Sequence, residues 1–106
     1  MSGLAESGFL VLSGALVAIG LFGILTRRNF VLLLIAIEIA MNAAILNFVY
    51  FSAYAPTSAS GLAGQATAVV LVGFAATEVA VGLAIVLALN RAKGTINVAE
   101  ATELKL

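Results

Sequence analysis

Three long apolar runs divide this chain, and each can cross a membrane. They cover about Leu4 to Thr26, Phe30 to Ala53 and Gln65 to Leu89, where a hydrocarbon core of roughly 30 Å needs about 20 helical residues. Lipid offers the backbone no hydrogen-bonding partner, so spanning segments are helices or closed barrels. The runs lack the two-residue alternation of barrel strands. The expected fold is all-α, a single three-helix membrane domain over residues 1–106. Composition agrees, with 63% hydrophobic residues, 9% charged residues and a mean hydropathy of +1.21.

The connections set the topology. Only "TRRN" separates the first two runs, which forces an antiparallel hairpin, whereas "YAPTSASGLAG" reads as a longer polar loop. The start "MSGLAESGFL" has no basic residue and carries Glu6, so the first run is expected to be retained rather than cleaved as a signal peptide. Arg27, Arg28, Arg91, Lys93 and Lys105 all fall on one side of this topology. The positive-inside rule makes that side cytoplasmic, with the amino terminus outside and the carboxyl-terminal tail, residues 90–106, inside. The stretch "GTINVAEATELKL" is mildly amphipathic and fits a tail lying on the membrane surface or against a partner, or a solvated one.

Composition also restricts the chemistry. With no cysteine and no histidine, thiol sites are excluded and the commonest metal ligand is missing, so no metal or cofactor is expected on this chain. Five basic residues balance five acidic ones, which leaves no cationic surface for nucleic acid. Carboxylates remain as the chemically active groups.

Two of these lie deep in apolar sequence. Glu38 comes eight residues after Phe30, about 12 Å along a helix from the inner edge, and Glu78 lies eleven before Leu89, roughly 17 Å from the same inner side. Both are near the midplane and within about one turn of each other in depth. A charged residue at a helix centre costs roughly 2.5–3.5 kcal/mol on insertion scales. Low-dielectric surroundings penalise a carboxylate relative to its neutral acid, so such a group can load and release a proton, and two neighbouring acids titrate as a pair. A proton relay and a hydrogen bond holding two helices together both fit a buried acid. Asn42, one turn after Glu38, shares its face and could orient the acid or a water. Asn47 lies about half a turn round from Glu38 and is expected to make a separate interhelical hydrogen bond. Ala75 and Gly82 leave room beside Glu78. Ala76, Ala80, Ala84 and Ala88 form another row, which suggests a helix packed on both sides and hence a larger assembly. Gly14, Gly20 and Gly23 are expected at close helix contacts. Arg27 and Arg28 serve topology or a partner contact.

The succession "RRN", "IEIAMNAAILN" and "GQATAVVLVGFAATEVAVGLAIVLALNR" closely resembles the K-subunit family of bacterial proton-pumping NADH:quinone oxidoreductase, respiratory complex I. The likeness covers nearly the whole chain and is most specific at Ile37 to Asn42, at Gly64 with Gln65, and at Ala75 to Leu83. It implies a multi-pass subunit of the inner or another energy-coupling membrane, between quinone-proximal and antiporter-like subunits. Glu38 and Glu78 match the family's two membrane glutamates, which join a hydrophilic axis, and Arg27 and Arg28 match the arginines of its first turn. Flavin, iron–sulfur clusters and quinone are then expected in partner subunits. Thr77 and the absence of an acidic residue from the second loop depart from the family pattern without touching the glutamate pair.

Related complexes draw electrons from ferredoxin, a deazaflavin or a hydrogenase, and the chain does not distinguish among these donors. A cation/proton antiporter subunit has three helices too, but it generally lacks the matched glutamates. A small multidrug exchanger has four helices with its glutamate in the first, and an ATP synthase rotor subunit has two helices. The expected function is a redox-driven proton pump's membrane subunit carrying relay carboxyls Glu38 and Glu78, assisted by Asn42.

Overall fold

The computed structural model describes residues 2–55 and 57–101; Pro56 of the second connection and Lys105 of the tail lie outside them. The chain forms α1 (Ser2–Thr26), α2 (Phe30–Ala53), α3 (Ser58–Lys93) and a short α4 (Val98–Ala101). The first three are long and apolar enough to cross a membrane.

The first connection is as short as expected because its own residues close it. Arg27 N–H donates to Gly23 O at 3.0 Å. Asn29 is extended (φ −96°, ψ 126°) and caps α2, its Oδ1 accepting from Val31 N–H at 2.9 Å and Leu32 N–H at 3.4 Å, which satisfies amides that lack an intrahelical partner.

The second connection differs from the expected loop. Helix α3 begins at Ser58 rather than Gln65 and runs to Lys93 rather than Leu89. Thr57 and Ser60 form a reciprocal capping box, so "SASGLAG" starts a helix that its glycines alone disfavour. At the other end Gly94 adopts a left-handed conformation (φ 69°) and donates to Asn90 O at 2.7 Å, a helix stop that favours glycine. Arg91 and Lys93 in the last turn suit the negative end of the helix dipole. At 36 residues, α3 is about 54 Å long and overhangs a bilayer core.

Residues after Gly94 return to the first turn. Asn97 pairs with Asn29 in an isolated antiparallel bridge, Phe30 N–H donates to Ile96 O at 3.0 Å, and Val98 N–H donates to Arg28 O at 2.6 Å. The described part of the tail is thus fastened to the α1–α2 turn.

Helix α2 is the middle element, with α1 and α3 packed on it. Small residues make both seams. A Cβ built on Gly20 would lie 2.7 Å from Ala40 Cβ and 2.9 Å from Ala36 O, and one on Gly23 would lie 2.6 Å from Ala36 Cβ. Gly14, also expected at a close contact, faces open space. Far from the Arg27–Arg28 turn, Phe9 stacks against Tyr50 with centroids 4.5 Å apart. The α2–α3 seam centres on Ile45, Ala68 and Ala75, flanked by Met41 and Leu71. Leu4, Val11, Leu25 and Val69 are each more than 70% exposed, so the outer surface is apolar like the seams. Such a surface belongs in lipid or against other membrane subunits.

Gly20→Ala should destabilise the α1–α2 seam by about 1–3 kcal/mol through overpacking, whereas Gly14→Ala should be neutral. The check is the temperature at which each tagged variant dissociates from its detergent-solubilised assembly. Equal temperatures would remove this seam as a determinant of stability.

Candidate functional site: two acids on one level

Two glycine contacts define how α3 lies along α2. A Cβ on Gly82 would come within 2.5 Å of Leu34 Cδ2, and one on Gly64 within 2.5 Å of Ser52 Cβ. Eighteen residues separate Leu34 from Ser52 on α2 and eighteen separate Gly64 from Gly82 on α3, so the antiparallel register holds between the two contacts. Glu38 follows Leu34 by four residues, and Glu78 precedes Gly82 by four. The register therefore sets Glu38 and Glu78 at the same level of the α2–α3 pair.

Their faces follow from the same contacts. Glu38 lies one turn after Leu34 and one before Met41, both directed at α3, while Glu78 lies between Ala75 and Gly82, both directed at α2. Each acid thus borders the seam. Glu38 is half-buried and Glu78 is exposed. The room expected beside Glu78 is partly taken up, because Ala75 is buried in the seam and Leu34 fills the space over Gly82.

Asn42 stands one turn from Glu38 and is exposed. Among the described residues, the side chains of Glu38, Asn42 and Glu78 have no hydrogen-bond partner within the chain. Polar groups at hydrocarbon depth require partners, and the described residues supply none to this trio. The row Ala76, Ala80, Ala84 and Ala88 is exposed as well and offers a flat face for close helix approach.

Two sequence expectations need correction or placement. Asn47 makes no interhelical hydrogen bond; its buried Oδ1 has no partner, and the hydroxyls of Ser52 and Ser60 nearby donate to Val49 O and Thr57 O instead. It borders a cavity of about 470 Å³ with Phe48, Phe51, Ser52 and Gly64. Arg27 and Arg28 are exposed in the first turn, and Arg28 lies ten residues, about 15 Å, from Glu38 along the chain axis. The structure does not bring them to the acids. It joins them instead to Thr95 and Asn97 of the tail, polar residues that no hydrophobic period marks.

Over residues 8–106 the sequence matches the family model of the NADH-ubiquinone/plastoquinone oxidoreductase chain 4L. The chain belongs to this family. Within the chain 4L family, it is 46% identical over 105 residues to the NADH-quinone oxidoreductase subunit K of Bacillus anthracis (strain CDC 684 / NRRL 3495), covering 99% of both chains. It is 44% identical over 105 residues to subunit K of Geobacillus sp. (strain WCH70), again covering 99% of each. Subunit K 1 of Syntrophobacter fumaroxidans is 45% identical over 98 residues, covering 92% of this chain and 93% of that relative. Chain 4L membership accords with three helices of membrane-spanning length and an apolar exterior.

The register can be tested directly because the chain has no cysteine. Leu34→Cys combined with Gly82→Cys should form an intramolecular disulfide on mild oxidation, since these positions lie within side-chain contact. Efficient bridging of Leu34→Cys to a cysteine at Val79 instead, with none at position 82, would show a shifted register and separate the two acids in depth.

Proposed function

We propose that this chain is a membrane-arm subunit of a proton-translocating NADH:quinone oxidoreductase and that Glu38 and Glu78 are proton-relay carboxyls. The printed names of its relatives support the first part. The shared level of the two acids on α2 and α3 supports the second.

The chemistry needs little else from this chain. A carboxyl group can carry a proton as the neutral acid and release it when a stronger acceptor or a favourable field is presented. Two such carboxyls at one level of adjoining helices offer successive holding sites for a proton on its way through apolar surroundings. Glu38 at the seam and Glu78 on the outer surface form two stations whose outward access differs. Asn42, one turn from Glu38, would orient water or a partner's acid through its amide. Water is the natural bridge wherever the gap exceeds direct hydrogen-bonding reach.

Electron transfer is assigned to other subunits. With no cysteine or histidine, this chain lacks the usual ligands for iron–sulfur clusters or haem, and flavin, clusters and quinone chemistry are placed in its partners. Those partners are membrane subunits on either side of α3 and α1, quinone-proximal and antiporter-like. All the described basic residues, Arg27, Arg28, Arg91 and Lys93, stand at one end of the helices. This supports an orientation with that end and the tail cytoplasmic and the amino terminus outside, in an energy-coupling membrane.

Glu38→Gln retains the shape of the side chain and removes its titration. In an assembled complex it should lower coupled quinone reduction and proton translocation by about tenfold or more, and Glu78→Gln should act in the same direction. Glu38→Asp should retain part of the activity. The checks are NADH-driven quinone reduction and acidification of the interior in inverted vesicles, with subunit content verified. Undiminished pumping by a fully assembled Glu38→Gln complex would sink the relay role.

A further inference from the structure

Two adjoining cavities at the basic end are unused by the proton-relay reading. The first, about 360 Å³, is walled by Arg27, Arg28, Asn29, Thr95 and Asn97 over Leu32. Thr26, also in its wall, donates its hydroxyl proton to Phe22 O at 2.6 Å, while the other uncharged polar side chains have their acceptor atoms engaged by the backbone. Asn29 Oδ1 accepts from Val31 and Leu32 N–H, Asn97 Oδ1 accepts from Ala99 N–H at 3.0 Å, and Thr95 Oγ1 accepts from Asn97 N–H at 3.1 Å. An amide whose oxygen faces an N–H turns its NH2 away. Asn29, Thr95 and Asn97 are therefore left with donors, two carboxamide NH2 groups and the Thr95 O–H, to which Arg27 and Arg28 add two guanidinium groups. Among the described residues no carboxylate lines the cavity, and Arg27 and Arg28 have no ion-pair partner. A wall of donors and fixed positive charge complements an oxyanion, and the guanidinium fork suits phosphate in particular.

The second cavity decides which oxyanion. It is about 310 Å³, shares Arg27 and Leu32 with the first, and continues down the α1–α2 face past Phe22, Ile35, Ile19 and Ile39. Gly23 and Ala36 form part of its lining, so the small residues that bring α1 against α2 also leave this channel beside the seam. From Arg27 to Ile19 is eight residues, about 12 Å, which fits within one leaflet of roughly 15 Å of hydrocarbon. A free phosphate would fill only the upper cavity. A headgroup phosphate with an acyl chain beneath it fills both.

We propose that the α1–α2 turn, closed by the tail at Thr95 to Asn97, binds one anionic phospholipid, with its phosphate among Arg27, Arg28, Asn29, Thr95 and Asn97 and an acyl chain along Leu32, Ile35 and Ile39. The Asn29–Asn97 bridge builds this site, because it carries Thr95 and Asn97 to the arginines. Two arginines at headgroup level favour an anionic lipid over an uncharged one by about tenfold or more.

The test uses the tagged chain in its solubilised native assembly, equilibrated with phospholipids carrying a photoactivatable diazirine in the acyl chain. Phosphatidylglycerol and diacylglycerol probes are compared, and adducts are mapped by peptide mass spectrometry. The expected result is a phosphatidylglycerol adduct within residues 19–39, about tenfold above the diacylglycerol adduct, with Arg27→Gln/Arg28→Gln bringing the two probes level. Ile35→Trp fills the groove without altering charge and should abolish the adduct, so the test stands even where the double variant does not assemble. Equal labelling by both probes in the unmodified assembly overturns the proposal, as does labelling indifferent to Ile35→Trp. Protection of the arginines from phenylglyoxal by inorganic phosphate, without any lipid adduct, would make a free anion the occupant and also overturn it. Carbodiimide coupling of Arg27→Lys/Arg28→Lys to a neighbouring subunit's carboxylate, again without an adduct, would make it a protein contact instead.

Discussion

The fit of Leu34 over Gly82 and of Ser52 over Gly64 governs the relation between α2 and α3. In a membrane, helix association has little hydrophobic driving force and depends on close packing. Glycine permits that approach at two points a fixed distance apart, and the intervening Ile45, Ala68 and Ala75 fill the seam. Because both helices are regular between these contacts, the register passes unchanged to Glu38 and Glu78. The acids share a level as a consequence of packing and need no contact with each other to keep it.

A central α2 has a second consequence. With α1 on one side and α3 on the other, the chain is a row of helices in which most residues of α1 and α3 remain exposed. Glu78, Asn42 and the alanine row of α3 are all on that exposed surface. Polar groups without internal partners, set among apolar surroundings, make the outer faces of α2 and α3 places where neighbouring groups complete the structure. That arrangement is what a subunit contributing one stretch of a longer polar path requires.

The basic end is organised differently. Asn29, Thr95 and Asn97 act there first as caps and turn-formers, which consumes their oxygen acceptors and leaves donors. Cation clustering there needs no additional packing device, since the bridge between Asn29 and Asn97 already gathers the residues. The proposed orientation and the proposed anion site would thus draw on the same arginines, at a level separate from that of the glutamates.

Much of this was legible in the sequence. Long apolar runs, hydrocarbon thickness and the helical rise determine three helices of spanning length and set Glu38 and Glu78 well inside two of them, since all depend on position along the chain. The short first turn follows likewise from "TRRN". What local pattern could not decide was any pairing between distant residues: that Gly82 is closed by Leu34, that Asn47 Oδ1 is left without a donor, and that the tail returns to the first turn. Even the start of α3 turned on Thr57 and Ser60 capping one another against the glycines that follow. Helix formation is dictated by the solvent and by local hydrogen bonding, whereas register and cavity shape depend on which side chains meet across helices, and only the tertiary structure brings those together.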